Sequence, residues 1–390
     1  MELMNVYSRL NVSFVKGEGV YLYDDKGEKY LDFVSGIAVN CLGHASPVMS
    51  EALKKQGKSL IHISNLYYSE AQTTLMKKLL GLCNFDSVFF CNSGTEANEL
   101  AIKIGRKHGN MISPEKTEII YMKNSFHGRS TGALAITGQK KYQDPFRPLM
   151  GGTVEVVFND IEDLKSKVSE KTCAIVLEPV QGEGGLKEAD LEFLSVAKEL
   201  SEKYNALLIF DEIQCGMGRM GTLFAYEQWG VVPDVITIAK ALGGGVPIGA
   251  CLAKGKASEV MVPGDHGSTY GGNPLVCGVA YAVLTELVDN GVVSKVKEKG
   301  EYAKNKLMEL KKKYGVIEEI RGKGLLIGLK LNESVTNKEF VAEAFKNKFL
   351  LVTAGDNVVR YFPPLNVTEA EIDSSIEKLE TVLKNLLKTN

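Results

Sequence analysis

Short apolar runs recur through the middle of the chain, and segments with helical spacing separate them. Six such runs cover residues 87–90, 118–122, 154–158, 173–177, 207–210 and 235–238. The segment 191–204, between two of them, is typical of a helix. Strands that alternate with helices favour a largely parallel sheet covered on both faces. The pattern therefore predicts an α/β fold.

The two ends of the chain follow other patterns. Residues 17–34 alternate short β-like pieces with turns, and Lys26 with Gly27 predicts the turn of an antiparallel hairpin. Beyond about residue 280, long charged helices dominate, with one predicted strand pair that involves 321–329 and 357–362. We predict three parts of the chain: an N-terminal segment at 1–50, a large domain at 51–284 and a smaller domain at 285–390. The first of these is expected to belong to the smaller α+β domain.

The composition excludes several classes of protein. The 390 residues are 44% hydrophobic and 24% charged, which is ordinary for a globular protein. The net charge of −2 provides no overall positive field to attract nucleic acid. No apolar run reaches the roughly 18 residues of a membrane span. Residues 1–5 lack the features of a signal peptide. We therefore expect neither a nucleic-acid nor a membrane partner.

The cysteine and histidine patterns argue against covalent or metal cross-links. The seven cysteines are odd in number and contain no C-x-x-C pair, so neither a disulfide framework nor a zinc cluster is predicted. Unpaired thiols suit a reducing cytoplasm. The five histidines are scattered without an H-E-x-x-H motif, and no metal site is expected.

Polar residues and glycines follow the predicted strands, where open α/β sheets bind ligands. Lys240 follows the run 235–238 and precedes a triple glycine at 243–245, and Asp211 follows the run 207–210. Pyridoxal phosphate needs a lysine to bond its aldehyde and an acid to hold its protonated ring nitrogen. From these two residues alone, a surface lysine and an unrelated aspartate remain the alternative.

Ser93 and Glu96 begin a segment with helical spacing, which continues through 97–104. The S-x-x-E pattern is typical of a capping box. The same helix start could bind a phosphate, because its first N–H groups are unpaired and Gly94 lets the backbone approach closely. Thr95 would add a hydroxyl group. A helix cap and a phosphate site both use the unpaired N–H groups of the first turn, so both interpretations stay open.

Three further side chains could complete such a site. Phe126 could stack on a cofactor ring, although a core phenylalanine is the commoner case. Arg129, in the same loop, could bind a carboxylate with its planar guanidinium, unless it forms a surface salt bridge. Gln214 follows Asp211 by one turn and could hydrogen-bond a ring hydroxyl.

One motif points elsewhere. Residues 216–221 match G-x-G-x-x-G, which would suggest a protein that binds a dinucleotide. However, residues 211–215 separate the glycines from the strand, and 222–229 lack a clear helical pattern. The dinucleotide fingerprint requires strand, glycines and helix in direct succession, so we reject this interpretation.

Taken together, these residues resemble the class-III, ornithine-type aminotransferases of the fold-type-I superfamily of pyridoxal-phosphate enzymes. The resemblance extends from 36–44 to 363–365. The stretches that carry it are 92–98, 125–129, 178–185, 211–214, 239–250 and 267–274. It implies a large domain with a mostly parallel seven-stranded sheet and a smaller α+β domain built from both termini.

The resemblance implies specific roles in binding pyridoxal 5'-phosphate. Lys240 would hold the cofactor covalently and act as the general base and acid. Ser93, Gly94 and Thr95 would bind the phosphate, and Phe126 would stack on the ring. Asp211 with Gln214 would hold the polar groups of the ring. Thr269 would reach the phosphate of the neighbouring subunit, which implies a homodimer.

The resemblance also implies how substrates bind. Arg129, helped by Ser268, would bind the far carboxylate, and Arg360 would bind the α-carboxylate of glutamate. Glu183 would pair with Arg360 when the substrate lacks that group. The expected reaction moves the terminal amino group of N2-acetyl-L-ornithine to 2-oxoglutarate, as in arginine biosynthesis. Ornithine, succinylornithine, N-succinyl-diaminopimelate and 4-aminobutyrate are alternative donors, and an aminomutase is the alternative reaction.

Overall fold

The computed structural model describes residues 3–389, so residues 1, 2 and 390 of the predicted terminal segments lie outside the described residues. Within this range the strands are β1 (Phe14–Glu18), β2 (Tyr21–Asp24), β3 (Lys29–Asp32), β4 (Ser87–Cys91), β5 (Glu118–Met122), β6 (Thr153–Val156), β7 (Thr172–Leu177), β8 (Val180–Gln181), β9 (Lys187–Glu188), β10 (Leu207–Asp211), β11 (Val235–Ile238), β12 (Gly249–Ala253), β13 (Ile317–Arg321), β14 (Ile327–Leu331), β15 (Phe349–Leu350), β16 (Val352–Ala354) and β17 (Val358–Tyr361).

The helices in the same range are α1 (Ser35–Ala38), α2 (Pro47–Gly57), α3 (Glu70–Leu80), α4 (Gly94–Ile112), α5 (Thr131–Ala135), α6 (Lys140–Gln143), α7 (Ile161–Lys167), α8 (Leu191–Lys203), α9 (Pro274–Val288), α10 (Val296–Tyr314), α11 (Asn337–Lys346) and α12 (Glu369–Thr389). Short 3-10 helices lie at Asp144–Phe146, Ala225–Gln228, Lys240–Leu242, Gly255–Glu259 and Val293–Lys295.

The central sheet has seven strands in the order β4-β12-β11-β10-β7-β5-β6. All six predicted apolar runs form strands of this sheet, although β6 ends at Val156, before the predicted Phe158. The seventh strand, β12, runs antiparallel to both of its neighbours. Its sequence of glycine, alanine, cysteine and leucine has no alternating pattern and was not predicted as a strand. The predicted mostly parallel α/β sheet is thus confirmed.

Helices cover both faces of this sheet, and the alternation along each strand sorts the core residues. On one face, Leu207 and Ile209 of β10 belong to the buried cluster that contains Leu100 and Ile104 of α4. On the other face, Leu208 belongs to the larger cluster with residues of α8 and α9. The central strands are therefore buried on both sides, and their carboxyl ends are left as the open edge where polar side chains collect.

Residues from both ends of the chain share a second sheet. β2 and β3 form the predicted antiparallel hairpin, and β15 pairs with β3 in parallel. A third sheet has the order β13-β14-β17-β16. The expectation of one strand pair after residue 280 was therefore wrong, because β13 to β17 are five strands. Those missed are short or, like β13, carry three charged residues in five, which hides the apolar pattern. The boundaries at 50 and 284 stay a prediction.

The rejected glycine motif forms a loop that contacts the C-terminal part of the chain. Arg219, at its centre, is fully buried and donates from Nη1 to the carbonyl of Pro363 at 2.5 Å. The main chain of Arg219 also accepts a hydrogen bond from the N–H of Leu325. The loop leads into a 3-10 helix of only four residues, so no long helix follows the glycines as a dinucleotide site would require.

Within residues 3–389, no single helix is both long and apolar enough to span a membrane, whereas the pair Pro274–Val288 and Val293–Tyr314, bent by 43°, meets the criteria of length and composition together. All seven cysteines are unpaired, and six of them are buried. In the same part of the chain, no group of three histidine, cysteine or acidic side chains is arranged to hold a metal ion.

Candidate active site

The carboxyl ends of the central strands surround a cavity of about 350 Å³. Eight of the predicted site residues line it: Ser93, Gly94, Thr95, Phe126, Glu183, Asp211, Gln214 and Lys240. Arg360 is not part of the lining, but it donates a hydrogen bond to Glu183, which is. Arg129, Ser268 and Thr269 are not part of the lining. The tertiary structure therefore brings together residues that lie up to 147 positions apart in the chain.

Lys240 follows β11 and begins a 3-10 helix, and its backbone is strained. Its φ of 45° lies in the left-handed region, which costs energy for any residue other than glycine. Lys240 is half-buried and lines the cavity. Burial, and then the positive charge of Arg360, lower the pKa of Lys240 to about 8. A much larger fraction of this amine is neutral near pH 7 than in an ordinary lysine.

Asp211 ends the central strand β10 and is only 3% exposed. Its Oδ1 accepts the N–H of Ile213 at 3.0 Å, and its Oδ2 accepts from Asn98 Nδ2 at 2.8 Å and from His127 Nδ1 at 2.7 Å. Thr237 in turn donates to the Asn98 amide oxygen at 2.8 Å. Three donors stabilise the ionised carboxylate. Asn98 and His127 were not predicted, although both lie in the stretches that carry the family resemblance.

The start of α4 has the predicted Ser93 cap, and the glycine at position 94 leaves its backbone accessible. The Ser93 hydroxyl accepts the N–H of Glu96, and the Glu96 carboxylate accepts the N–H of Asn92 rather than that of Ser93. A Cβ atom on Gly94 would lie only 2.7–3.0 Å from side-chain atoms of Ile213. The close approach of Ile213 therefore favours glycine at position 94. Without a side chain at this position, the first N–H groups of α4 stay accessible to an anion in the cavity.

Thr95 and Phe126 line the cavity, and hydrogen bonds to neighbouring residues hold both in place. The Thr95 hydroxyl is 2.6 Å from the hydroxyl of Ser130. The N–H of Phe126 donates to Glu178 Oε1 at 3.0 Å, which holds this residue at the cavity wall. Glu178 is a further lining residue that was not predicted, although it directly follows the apolar strand β7.

Arg129 and Ser268 lie outside the cavity lining. The Arg129 guanidinium is exposed and stacks over the ring of Tyr142 at 3.8 Å. The Ser268 hydroxyl accepts from Asn92 Nδ2 at 3.1 Å and from the N–H of Gly271 at 2.9 Å. Thr269 is exposed. Stacking leaves guanidinium N–H groups free to bind a carboxylate.

Arg360 is buried and forms an ion pair with Glu183, which is partly exposed. Arg360 is 2% exposed, and its Nη1 donates to Glu183 Oε1 at 2.5 Å. Its Nη2 donates to the carbonyl of Thr353 at 2.8 Å. A buried guanidinium without a counter-ion would be strongly destabilising. Arg360 therefore needs a carboxylate partner, and in this structure that partner is Glu183.

These residues fit pyridoxal phosphate. Gln214 Oε1 and Glu178 Oε2 are buried without a hydrogen-bond partner among the described residues, as expected for groups that face a polar ligand. A cavity of about 350 Å³ lies in the size range of small-molecule sites. The helix start at Gly94 suits the phosphate, Asp211 a protonated ring nitrogen, and Lys240 the aldehyde.

A comparison with known families agrees with this geometry. The family model described as "Aminotransferase class-III" matches residues 4–383. The chain belongs to the class-III aminotransferases. Because this family depends on pyridoxal phosphate, the protein is a pyridoxal-phosphate-dependent transferase. The cavity around Lys240 has the donors and acceptors that this cofactor needs.

Individual relatives align over nearly the whole chain. A protein of Clostridium acetobutylicum named acetylornithine aminotransferase is 54% identical over 98% of this chain and 99% of its own length. One of the same name from Methanocaldococcus jannaschii is 48% identical over 99% of this chain and 96% of its own. The crystal structure of ornithine aminotransferase from Toxoplasma gondii ME49 has a TM-score of 0.94 at 30% identity, and the match covers 100% and 94% of the two chains.

We predict that Gly94→Ala weakens cofactor binding. The added methyl group would press on Ile213, and overpacking of this kind costs about 1–3 kcal/mol, or roughly tenfold to a hundredfold in affinity. Titration of the apoprotein with pyridoxal phosphate, followed by fluorescence, measures the change. Gly57→Ala is the matched control, because a Cβ there meets no atom within 4 Å. Equal affinities of the two variants would show that the clearance at Gly94 is unimportant.

The lowered pKa of Lys240 predicts how covalent loading depends on pH. Only the neutral amine attacks an aldehyde, so the loading rate should rise with pH and level off above about 8. Stopped-flow absorbance of the apoprotein mixed with cofactor gives this profile. Lys240→Ala is the control and should yield no covalent adduct after borohydride reduction and mass spectrometry. A rate that keeps rising towards 10.5, the pKa of an ordinary lysine, would contradict the effect of burial.

Proposed function

We propose that the protein transfers the terminal amino group of N2-acetyl-L-ornithine to 2-oxoglutarate. The products are N-acetyl-L-glutamate 5-semialdehyde and L-glutamate, as in arginine biosynthesis. The names of the two relatives at 54% and 48% identity support this choice of donor. The observation that carries the proposal is the ion pair between Arg360 and Glu183, because it suits an enzyme whose two substrates differ in charge next to the reacting group.

The ion pair explains how one pocket accepts both substrates. Glutamate and 2-oxoglutarate carry a carboxylate beside the reacting carbon, and this group can bind Arg360 in place of Glu183. The terminal amine of acetylornithine has no such neighbour, so Glu183 then keeps the charge of Arg360 balanced. Arg129 and Ser268 would bind the carboxylate at the other end of the substrate.

The remaining residues of the cavity have separate tasks. When bound, pyridoxal phosphate supplies an electron-withdrawing ring that stabilises negative charge on the reacting carbon. The carboxylate of Asp211 favours the protonated form of the ring nitrogen. Lys240 supplies an amine that holds the aldehyde between turnovers and moves a proton during them, for which a pKa of about 8 is suitable. Gln214 would hydrogen-bond the ring hydroxyl.

We propose further that the protein is a homodimer in the cytoplasm. In this dimer, Thr269 of one subunit would reach the cofactor phosphate of the other. The position of Thr269 supports the dimer. Two hydrogen bonds from Asn65 Nδ2, to the carbonyls of Ser268 and Gly271, fix this segment beside residues 66–68. Tyr68 is 92% exposed and Leu66 is 83% exposed, which is unusual for apolar side chains unless another surface covers them.

A second candidate donor is ornithine. It is supported by the fold, because the ornithine aminotransferase structure described above superposes over the whole chain. Free ornithine carries a charged α-amino group where acetylornithine carries a neutral amide. The two candidates therefore differ in the charge that the far end of the pocket must accept.

A panel of amine donors tests the proposed reaction. With 2-oxoglutarate as acceptor, acetylornithine should give the highest kcat/KM, ahead of ornithine, succinylornithine, N-succinyl-diaminopimelate and 4-aminobutyrate. Glutamate formation is measured with a coupled assay. A higher kcat/KM for ornithine would contradict the proposed donor and favour ornithine instead. Turnover of an amino aldehyde without 2-oxoglutarate would instead indicate an aminomutase.

Mixed dimers test whether Thr269 acts across the subunit interface. Thr269→Glu places a negative charge near the phosphate and should weaken cofactor binding, whereas Thr269→Ser is the control that keeps the hydroxyl. The mixed dimer with Lys240→Ala, isolated after co-expression, should recover about half of the wild-type activity, because a C2 dimer that exchanges Thr269 then contains one intact site. If Thr269 served its own subunit, every site of the mixed dimer would carry one defect and activity would stay low.

A further inference from the structure

Glu178 and Asp211 lie side by side at the ends of adjacent strands. β7 and β10 are parallel, and Leu177 pairs with Phe210 in their register. Asp211 is the last residue of β10 and Glu178 directly follows β7, so the two carboxyl groups are lateral neighbours, and the charge of Asp211 acts on Glu178. Both line the cavity, and they are only 6% and 3% exposed. Two acidic groups in this arrangement cannot both be ionised at low cost.

The hydrogen bonds decide which carboxyl group carries the charge. Asp211 accepts from three donors, one of which is the imidazole of His127. Glu178 accepts one, the N–H of Phe126, and its Oε2 is buried without a partner among residues 3–389. Donors to a carboxylate stabilise its ionised form. Asp211 is therefore the better site for the negative charge.

The surrounding charges act on Glu178 in both directions. Burial raises the pKa of Glu178 well above its ordinary value, and the negative charge of Asp211 raises it further. The Phe126 N–H and the amine of Lys240 lower it, whereas Glu183 raises it. The thiol of Cys215 is a further titratable group close to this carboxyl. Burial is the largest of these effects, so the net result is a raised pKa that favours the protonated form of Glu178.

We propose that Glu178 is a neutral carboxylic acid that keeps its proton on Oε2, donates a hydrogen bond from there into the cavity and positions Phe126 through Oε1. The acceptor of this hydrogen bond would be an oxygen atom of the bound cofactor. Asp211 then supplies the only negative charge of the pair. The inference concerns the cofactor side of the site and holds whichever amine is the donor.

A neutral Glu178 has a consequence for Lys240. Asp211 and Glu183 already place two carboxylates in the cavity lining, and a third on Glu178 would favour the protonated amine and raise the pKa of Lys240, which would oppose the effect of burial. With Glu178 uncharged, the amine stays partly neutral at physiological pH. Glu178 therefore acts as a positioning residue that also limits the negative charge around the reactive lysine.

Infrared spectroscopy with carboxyl-labelled glutamate tests the protonation state. Wild-type protein at pH 7 should show the C=O band of a neutral glutamic acid that shifts when the apoprotein binds pyridoxal phosphate, and Glu178→Gln should lose this band. Glu212 is the matched control, since it is equally buried with a pKa of about 8 but accepts only from Ala225 and Tyr226 N–H groups away from the cavity. Glu212→Gln should keep the cofactor-sensitive band. Its absence from wild-type protein would overturn the proposal.

The pKa of Lys240 provides a second readout, taken from the pH dependence of the rate at which the apoprotein binds the cofactor covalently. Glu178→Gln should shift it by less than about half a unit, because a neutral group replaces a neutral group. If Glu178 were ionised, loss of its charge would lower the pKa by about one unit or more, which would sink the idea. Glu178→Leu removes the acceptor for Phe126 and should weaken cofactor binding about tenfold relative to Glu178→Gln. The infrared band of wild-type protein remains decisive should either variant fail to fold.

Discussion

The buried carboxylate of Asp211 is the constraint on which the site depends. An ionised group inside a protein is costly unless donors surround it. Here the donors come from Asn98 on α4, from His127 after β5 and from the main chain after β10. Thr237 on β11 orients Asn98 in turn. One charge therefore ties together a helix and the ends of three strands, and the cavity takes its shape from these connections.

Charge balance is the second theme of the cavity. Lys240 has a lowered pKa because it is buried near a second cation, Arg360. Arg360 in turn is neutralised by Glu183. Such a site favours ligands that carry a carboxylate, provided that the carboxylate of Glu183 can move away from Arg360. The same balance accounts for the neutral state that we infer for Glu178, because one more negative charge would stabilise the protonated lysine.

Much of the fold follows from local patterns. The six apolar strands of the central sheet could be predicted because each is a continuous apolar run. The hairpin of β2 and β3 could be predicted because turn residues separate its two strands. β12 consists mainly of small residues, and three of the five residues of β13 are charged, so neither shows a strand pattern. These strands form because their neighbours in the sheet supply hydrogen bonds, which is information that a short window of sequence does not contain.

The same division applies to the site. The sequence by itself determined the chemical groups at the strand ends, such as Lys240 and Asp211, because position after an apolar run is a local property. Only the tertiary structure decided which groups meet: the register that places Glu178 beside Asp211, the clearance between Gly94 and Ile213, and the pair formed by Glu183 with Arg360, 177 positions away. Distances and protonation states of this kind arise from packing between elements distant in the chain, which is why residue type and spacing do not specify them.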